Sequence, residues 1–154
     1  MTILHHVGLT VADLEASIEF YRAVLGCTIR ERSQSSGPEV DALTGVAGAR
    51  LVTADLELED GGILELIQYL TPRGTTPAQR RNDPGHTHIG FLVDDVDAAY
   101  ERLAAHGSVP SSRPITIHEP GSAWDGIRAI YACDPDGRTV EMVEARRQTA
   151  ESRK

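Results

Sequence analysis

Two histidines and two glutamates occupy positions at which their side chains could bind a metal. His6 and His88 lie in short segments that alternate between apolar and small or polar residues, and Glu65 and Glu141 each interrupt an apolar run, LELI and VEMV. A buried carboxylate without a partner is costly, so each glutamate is expected to be paired, hydrogen-bonded or metal-bound. Two imidazoles and two carboxylates suit a divalent first-row metal, with positions left for water or substrate.

These four residues fall at matched positions of an internal repeat. The segment LHHVGLTVADLEASIEFYRAV returns as THIGFLVDDVDAAYERL, with His6 and His88 separated by 88 − 6 = 82 residues, and Glu65 and Glu141 follow matching Asp-Gly turns, 141 − 65 = 76 residues apart. A single strand histidine is more often a core or rim residue than a ligand, and a single strand glutamate is more often exposed. Their occurrence in both copies favours a shared metal site.

Each copy predicts a strand followed by a helix. The apolar residues of the strand alternate with the histidine and with Gly8 or Gly90, so the histidine should face away from the helix, beside a glycine that leaves space for it. Asp13 and Asp95 are predicted N-caps, each followed by apolar residues at helical spacing. His5 is expected to face the opposite way from His6.

The remaining patterns complete two tandem βαβββ modules of an α+β fold. The modules are predicted at 1–70 and 86–145, with a linker at 71–85 and a polar tail at 146–154. Besides the first strand and helix of each copy, the predicted elements are strands at 28–33, 50–59 and 63–70 with a helical turn at 39–43, and strands at 109–117, 127–133 and 139–144.

Composition limits the partners. A net charge of −8 and a pI near 5.2 argue against nucleic acid and anionic membranes, and no apolar run approaches the roughly 20 residues of a membrane span. A cytoplasmic protein acting on a small molecule is expected. Cys27 and Cys133 have neither metal-binding nor disulfide spacing and are interpreted as ordinary thiols.

Three segments carry a family resemblance. HHVGLTVADLEASIEFYRAVLG, GHTHIGFLVDDVDAAYERL and DPDGRTVEMVE resemble the vicinal oxygen chelate superfamily, which includes glyoxalase I, methylmalonyl-CoA epimerase, fosfomycin and bleomycin resistance proteins and extradiol dioxygenases. The resemblance covers Leu4 to Glu144. It implies a cupped eight-stranded mixed sheet around one divalent metal, of the set Zn, Ni, Co, Mn or Fe. The residues that match the four ligand positions are His6, Glu65, His88 and Glu141.

The intact set of four ligands is similar to that of the isomerase-like members, glyoxalase I, methylmalonyl-CoA epimerase and epi-valiolone epimerase. The chemistry implied is proton transfer at a carbon next to a carbonyl, on a thioester, ketocyclitol or ketoacid held through neighbouring oxygens. Glu65 and Glu141 are candidates for the catalytic acid and base, or act as ligands alone. The alternatives are a glyoxalase I-like lyase, an extradiol-type dioxygenase and a non-catalytic drug- or metabolite-binding resistance protein.

The loops and the assembly carry weaker predictions. Arg73, Arg80 and Arg81 could hold an anionic group, although a solvated linker is the interpretation that such a segment favours. Aromatic residues could line the site or belong to the core; these are Tyr69, Trp124 and Tyr131. A homodimer is expected, because a cupped sheet of two small modules leaves edges that twofold association covers.

Overall fold

A computed structural model describes residues 1–75 and 80–144 of the 154-residue chain. The chain divides into two compact units, Met1–Ala78 and Gln79–Lys154. The predicted tail at 146–154, and positions 76–79 of the predicted linker, lie outside the described residues.

The first unit is a four-stranded sheet with two helices. The strands lie in the order β1-β4-β3-β2, with β1 parallel to β4 and the other neighbours antiparallel. Its elements are β1 (Val7–Thr10), α1 (Leu14–Leu25), β2 (Thr28–Ser36), α2 (Pro38–Thr44), β3 (Arg50–Glu57) and β4 (Ile63–Thr71).

The second unit repeats this connectivity without an equivalent of α2. Its strands lie in the order β5-β8-β7-β6, and β5 is parallel to β8. The α+β class and the two βαβββ repeats are therefore confirmed, with four strands in each of two sheets. The elements are β5 (His88–Val93), α3 (Val96–Ala105), β6 (Ile115–Thr116), β7 (Arg128–Cys133) and β8 (Thr139–Glu144).

The first helix of each unit begins at the predicted cap. The Asp13 carboxylate accepts a hydrogen bond from the backbone N–H of Ala16 at 3.1 Å, and Asp95 accepts one from Ala98 at 2.9 Å. Each cap satisfies a donor that the first turn of a helix leaves free. The start of each helix, and so its position on the sheet, is fixed by the same residue type in both repeats.

One face of each sheet packs against its helix and forms the core. Alternation along β4 and β8 sends the apolar residues to this face and the intervening residues to the other, which leaves the opposite face for polar side chains. The large buried side chains between sheet and helix include Tyr21 of α1 with Leu64 and Leu66 of β4 in the first unit. In the second unit they include Leu103 of α3 with Val140 and Met142 of β8.

Strand β6 is shorter than predicted. The sequence predicts a strand over 109–117, whereas the structure has only Ile115–Thr116. Pro110 and Pro114 have no N–H to donate to a neighbouring strand. Between them Ser111 still donates its N–H to the carbonyl of Tyr131 at 2.9 Å, so the chain follows β7 without forming a continuous ladder.

No helix in residues 1–75 and 80–144 is long and apolar enough to cross a membrane.

Candidate functional site

In the first unit, a histidine and a glutamate meet across the parallel strands β1 and β4. Gly8 lies directly opposite Glu65, and His6 precedes the first residue of β1. His6 Nε2 is 3.2 Å from Glu65 Oε2, and the Glu65 side chain is 28% exposed. Two atoms that can bind a metal therefore face each other on the side of the sheet away from α1.

The second unit has the same arrangement. Gly90 lies opposite Glu141 on the parallel strands β5 and β8, and His88 is the first residue of β5. His88 Nε2 is 3.3 Å from Glu141 Oε2, and the Glu141 side chain is only 11% exposed. The two His–Glu pairs agree in geometry and differ in burial, because the second carboxylate is more enclosed.

Gly8 and Gly90 leave space beside the carboxylates, as the sequence predicts. A Cβ atom on Gly90 would lie 3.4 Å from Glu141 Oε2, and one on Gly8 would lie 3.7 Å from Glu65 Oε2. A branched side chain at either position would extend over the carboxylate oxygen that faces the histidine. Glycine therefore keeps both pairs accessible to a ligand.

His5 contacts His6, and the prediction that it faces the other way is wrong. The two Nδ1 atoms are 2.7 Å apart, and both residues precede β1, so the alternation of the strand does not apply to them. A hydrogen bond between two imidazole Nδ1 atoms needs a donor on one ring and an acceptor on the other. The contact directs Nε2 of His6 toward Glu65.

In the second unit the ring that contacts the histidine of the pair is that of Tyr131. Its ring lies 5.3 Å from the His88 ring at an angle of 61°, and its backbone pairs with Glu141 in the β7–β8 ladder. Burial raises the pKa of the Tyr131 hydroxyl, and the negative charge of Glu141 raises it further, whereas Arg81 opposes the shift. Tyr131 is thus neutral at physiological pH, and its ring lies beside that of His88.

Three polar side chains continue this face of the second sheet. The Thr139 hydroxyl is 3.1 Å from His86 Nε2 and accepts a hydrogen bond from Arg81 Nε at 3.2 Å. The Arg81 guanidinium carbon lies 5.9 Å from the centre of the Tyr131 ring. The sequence offered Arg81 only as one of three linker arginines, because its contacts depend on residues about 50 positions later.

Of the other predicted contributors, only Tyr69 lies on the face of its strand that carries a predicted ligand. Arg80 forms an ion pair with Asp83 at 3.4 Å, and Arg73 is exposed. Trp124 is exposed in the loop before β7, while half-buried Tyr69 lies on the same face of β4 as Glu65.

The structure brings the four predicted ligands together as two pairs. Within the described residues, no three His, Cys, Asp or Glu side chains gather closely enough to hold a metal ion by themselves. The donor atoms of each pair nevertheless suit a divalent metal, since an imidazole nitrogen and a carboxylate oxygen face each other beside a glycine. The sharing of one metal by His6, Glu65, His88 and Glu141 stays a prediction.

Fold and site together define a class: a protein of two βαβββ units, each presenting one His–Glu pair across its parallel strands. The model of the Glyoxalase/Bleomycin resistance protein/Dioxygenase superfamily matches residues 3–142. The chain belongs to this superfamily. Its members typically bind a divalent metal and act on small molecules.

Named relatives extend over almost the whole chain. It is 34% identical over 149 residues to a 2-epi-5-epi-valiolone epimerase of an Actinomyces species, covering 91% of this chain and 78% of the relative. It is 32% identical to a lactoylglutathione lyase of Haemophilus influenzae, covering 94% and 93%. These names support an enzyme of the superfamily.

Solved structures confirm the fold. A glyoxalase family protein from Bacillus cereus superposes with a TM-score of 0.81 at 22% identity, covering 94% of both chains.

Proposed function

We propose that this protein is a divalent-metal-dependent isomerase that moves a proton at a carbon next to a carbonyl group. The observation that carries the proposal is the repetition of one local arrangement. In both units a histidine faces a glutamate at 3.2–3.3 Å, across parallel strands, with a glycine opposite the glutamate. A carboxylate and an imidazole kept accessible in this way have no evident role in packing.

The proposed metal ligands are His6, Glu65, His88 and Glu141, binding one ion per chain. The ion, when bound, would supply a Lewis acid that stabilises negative charge on a substrate oxygen. The pairs fit this role because each offers one imidazole nitrogen and one carboxylate oxygen, which are common ligands of divalent metals. Gly8 and Gly90 leave room for a substrate oxygen to approach.

The proposed work of the glutamates is proton transfer. One carboxylate takes the proton from the carbon next to the carbonyl, and the other returns a proton on the opposite face, which inverts the centre. Glu65 is more exposed than Glu141, so we assign Glu65 to the carboxylate that exchanges its proton with solvent more readily. Glu141 is more enclosed, so we assign it to the carboxylate that keeps the proton taken from the substrate and exchanges it slowly with solvent.

Two substrate types follow from the named relatives. An epimerase acting on a ketocyclitol is the first candidate, because the relative at 34% identity is named an epimerase. A lyase acting on a thioester such as lactoylglutathione is the second, supported by the relative at 32% identity. Both would use proton transfer next to a carbonyl.

Glutamine substitutions test the proposal. Glu65→Gln and Glu141→Gln should each retain the metal, because an amide oxygen can still coordinate, and should lose about 10²- to 10⁴-fold in turnover. Glu57→Gln is a matched control, since Glu57 is exposed at the end of β3. Activity would be followed as inversion of the stereocentre in candidate ketocyclitols, ketoacids and thioesters, with deuterium incorporation from solvent and metal content measured on the same samples.

The outcomes separate the possible roles. If the activity of both Gln variants returns when metal is added, the glutamates are ligands only. If both variants hold metal and turn over at the wild-type rate, neither glutamate transfers the proton. A metal-loaded wild type that binds a small molecule without any turnover would indicate a binding protein of the resistance type, and oxygen consumption with a catechol would indicate a dioxygenase.

A further inference from the structure

Arg81 lies on the same face of the second sheet as the His88–Glu141 pair. Along β8 this face carries Thr139 and Glu141, and Arg81 Nε donates to the Thr139 hydroxyl at 3.2 Å. The Tyr131 ring contacts both the His88 ring, at 5.3 Å, and the Arg81 guanidinium, at 5.9 Å. The Tyr131 ring therefore lies between the Arg81 guanidinium and the His88 ring, which belongs to a proposed metal ligand.

The guanidinium is held in place by side chains and leaves its charge available. Thr139, which accepts the hydrogen bond from Nε, is only 2% exposed, and the guanidinium carbon lies over the Tyr131 ring, 5.9 Å from its centre. One terminal nitrogen has Cys133 Sγ as a partner at 3.7 Å, which is a weak acceptor. Arg81 forms no ion pair with a carboxylate in the parts of the chain that the structure describes.

The neighbouring Arg80 shows what a solvated linker arginine does here. Its side chain points to Asp83, with which it forms an ion pair, and its backbone N–H donates to the same carboxylate at 2.8 Å. The charge of Arg80 is therefore matched within its own turn. Arg81 instead extends from this turn across the site face.

We propose that Arg81 binds a carboxylate or phosphate group of the substrate, beside the carbon at which the proton moves. The inference rests on the proposed function, since it places this anion next to the oxygens that the His–Glu pairs would address through a metal. An anchored guanidinium presents its remaining N–H groups as a planar fork, which matches two oxygens of a carboxylate or phosphate. The protein as a whole carries a net charge of −8. We therefore attribute the selection of an anionic group at this face to Arg81, whose charge is not matched by an ion pair with a carboxylate among the described residues.

This assignment narrows the substrate class. Arg81 favours a substrate that carries an acid, such as a ketoacid, a phosphorylated ketocyclitol or a thioester of an acidic thiol. An uncharged ketocyclitol should be the poorer substrate.

Inorganic phosphate provides a direct test on the full-length protein. Metal would be removed with a chelator, and phosphate titrated while the amide signals of Tyr131, Cys133 and Thr139 are followed by NMR. We expect saturable shifts in wild type and in Arg80→Met. Arg81→Met should weaken phosphate binding by at least about tenfold, the loss expected for a charge-assisted hydrogen-bonded pair.

A second variant separates the geometry of the guanidinium from its charge. Arg81→Lys keeps the positive charge but not the fork, so it should also bind phosphate more weakly than wild type. Phosphate affinity equal to wild type in both Arg81 variants, or lost equally in Arg80→Met, overturns the assignment.

Metal content and turnover measured on the same variants distinguish this inference from the proposed function. If wild type holds metal and turns over substrate, while the phosphate response of Arg81→Met equals that of wild type, the anion site is wrong and the isomerase proposal stands. If neither wild type nor any variant holds metal, yet phosphate binding is lost in Arg81→Met and kept in Arg80→Met, the anion site stands and the metal-dependent reaction is wrong.

Discussion

Replacing His88 by alanine should abolish metal binding at a modest cost to the stability of the metal-free protein. The His88 side chain is nearly half exposed, but its removal leaves the Glu141 carboxylate, which is 11% exposed, without its imidazole partner, and this should cost about 1 kcal/mol. For a chain of about 150 residues, 1 kcal/mol corresponds to about 2–4 °C in Tm, so the metal-free variant should unfold within about 4 °C of wild type.

Metal has a larger effect on wild type. A ligand that binds only the folded state at 100 times its Kd stabilises it by about 2.7 kcal/mol. With the same conversion, a saturating divalent metal should raise the Tm of wild type by about 5–11 °C. Without the His88 imidazole this shift should disappear, leaving the thermal unfolding of His88→Ala independent of added metal.

The assay is thermal unfolding of chelator-treated protein, with and without Zn, Ni, Co, Mn or Fe(II), together with metal content after desalting. His106→Ala is a suitable control, because His106 is an exposed residue at the end of α3. A metal-dependent shift in His88→Ala as large as that of wild type would show that His88 is not a ligand.

Three further predictions concern stability and assembly. Asp13→Ala and Asp95→Ala should each cost about 1 kcal/mol, seen as a fall of about 2–4 °C in Tm, because each removes an N-cap. Arg128 lowers the pKa of the Asp97 carboxyl, chiefly through a hydrogen bond, so the contribution of Asp97 is full above its ordinary pKa of 3.8 and is lost as the pH falls through the lowered value. The Tm difference between Asp97→Asn and wild type should accordingly shrink below about pH 3.8. Light scattering at micromolar concentration should give the mass of a homodimer, and a monomer mass would contradict the proposed twofold association.

Much of the fold followed from local pattern. The N-caps at Asp13 and Asp95 and the alternation in β1 and β5 each depend on a few neighbouring residues, so the sequence alone predicts them. Strand β6 did not follow, because Pro110 and Pro114 break a ladder that hydrophobic alternation alone suggests.

The candidate site, like the fold, was predictable only in part. The two His–Glu pairs were predictable because the repeat places the same residue types at matched positions. The contacts of His5 and Arg81 were not predictable. The contact of His5 depends on where β1 begins, and the contacts of Arg81 depend on Thr139 and Tyr131, which come near it only in the folded second unit. Whether all four predicted ligands share one metal remains a prediction.

The parallel pairing of the first and last strands of each unit has a consequence for synthesis. In each unit the histidine lies at the first strand and the glutamate on the last, so His6 and Glu65 meet only after β2, α2 and β3 have been laid down between them. Such distant pairings close late, because the entropy of a long loop must be overcome before they form. A ribosome-bound fragment that ends before β4 has no facing carboxylate to offer, and each half of the proposed site arises only when its unit is complete.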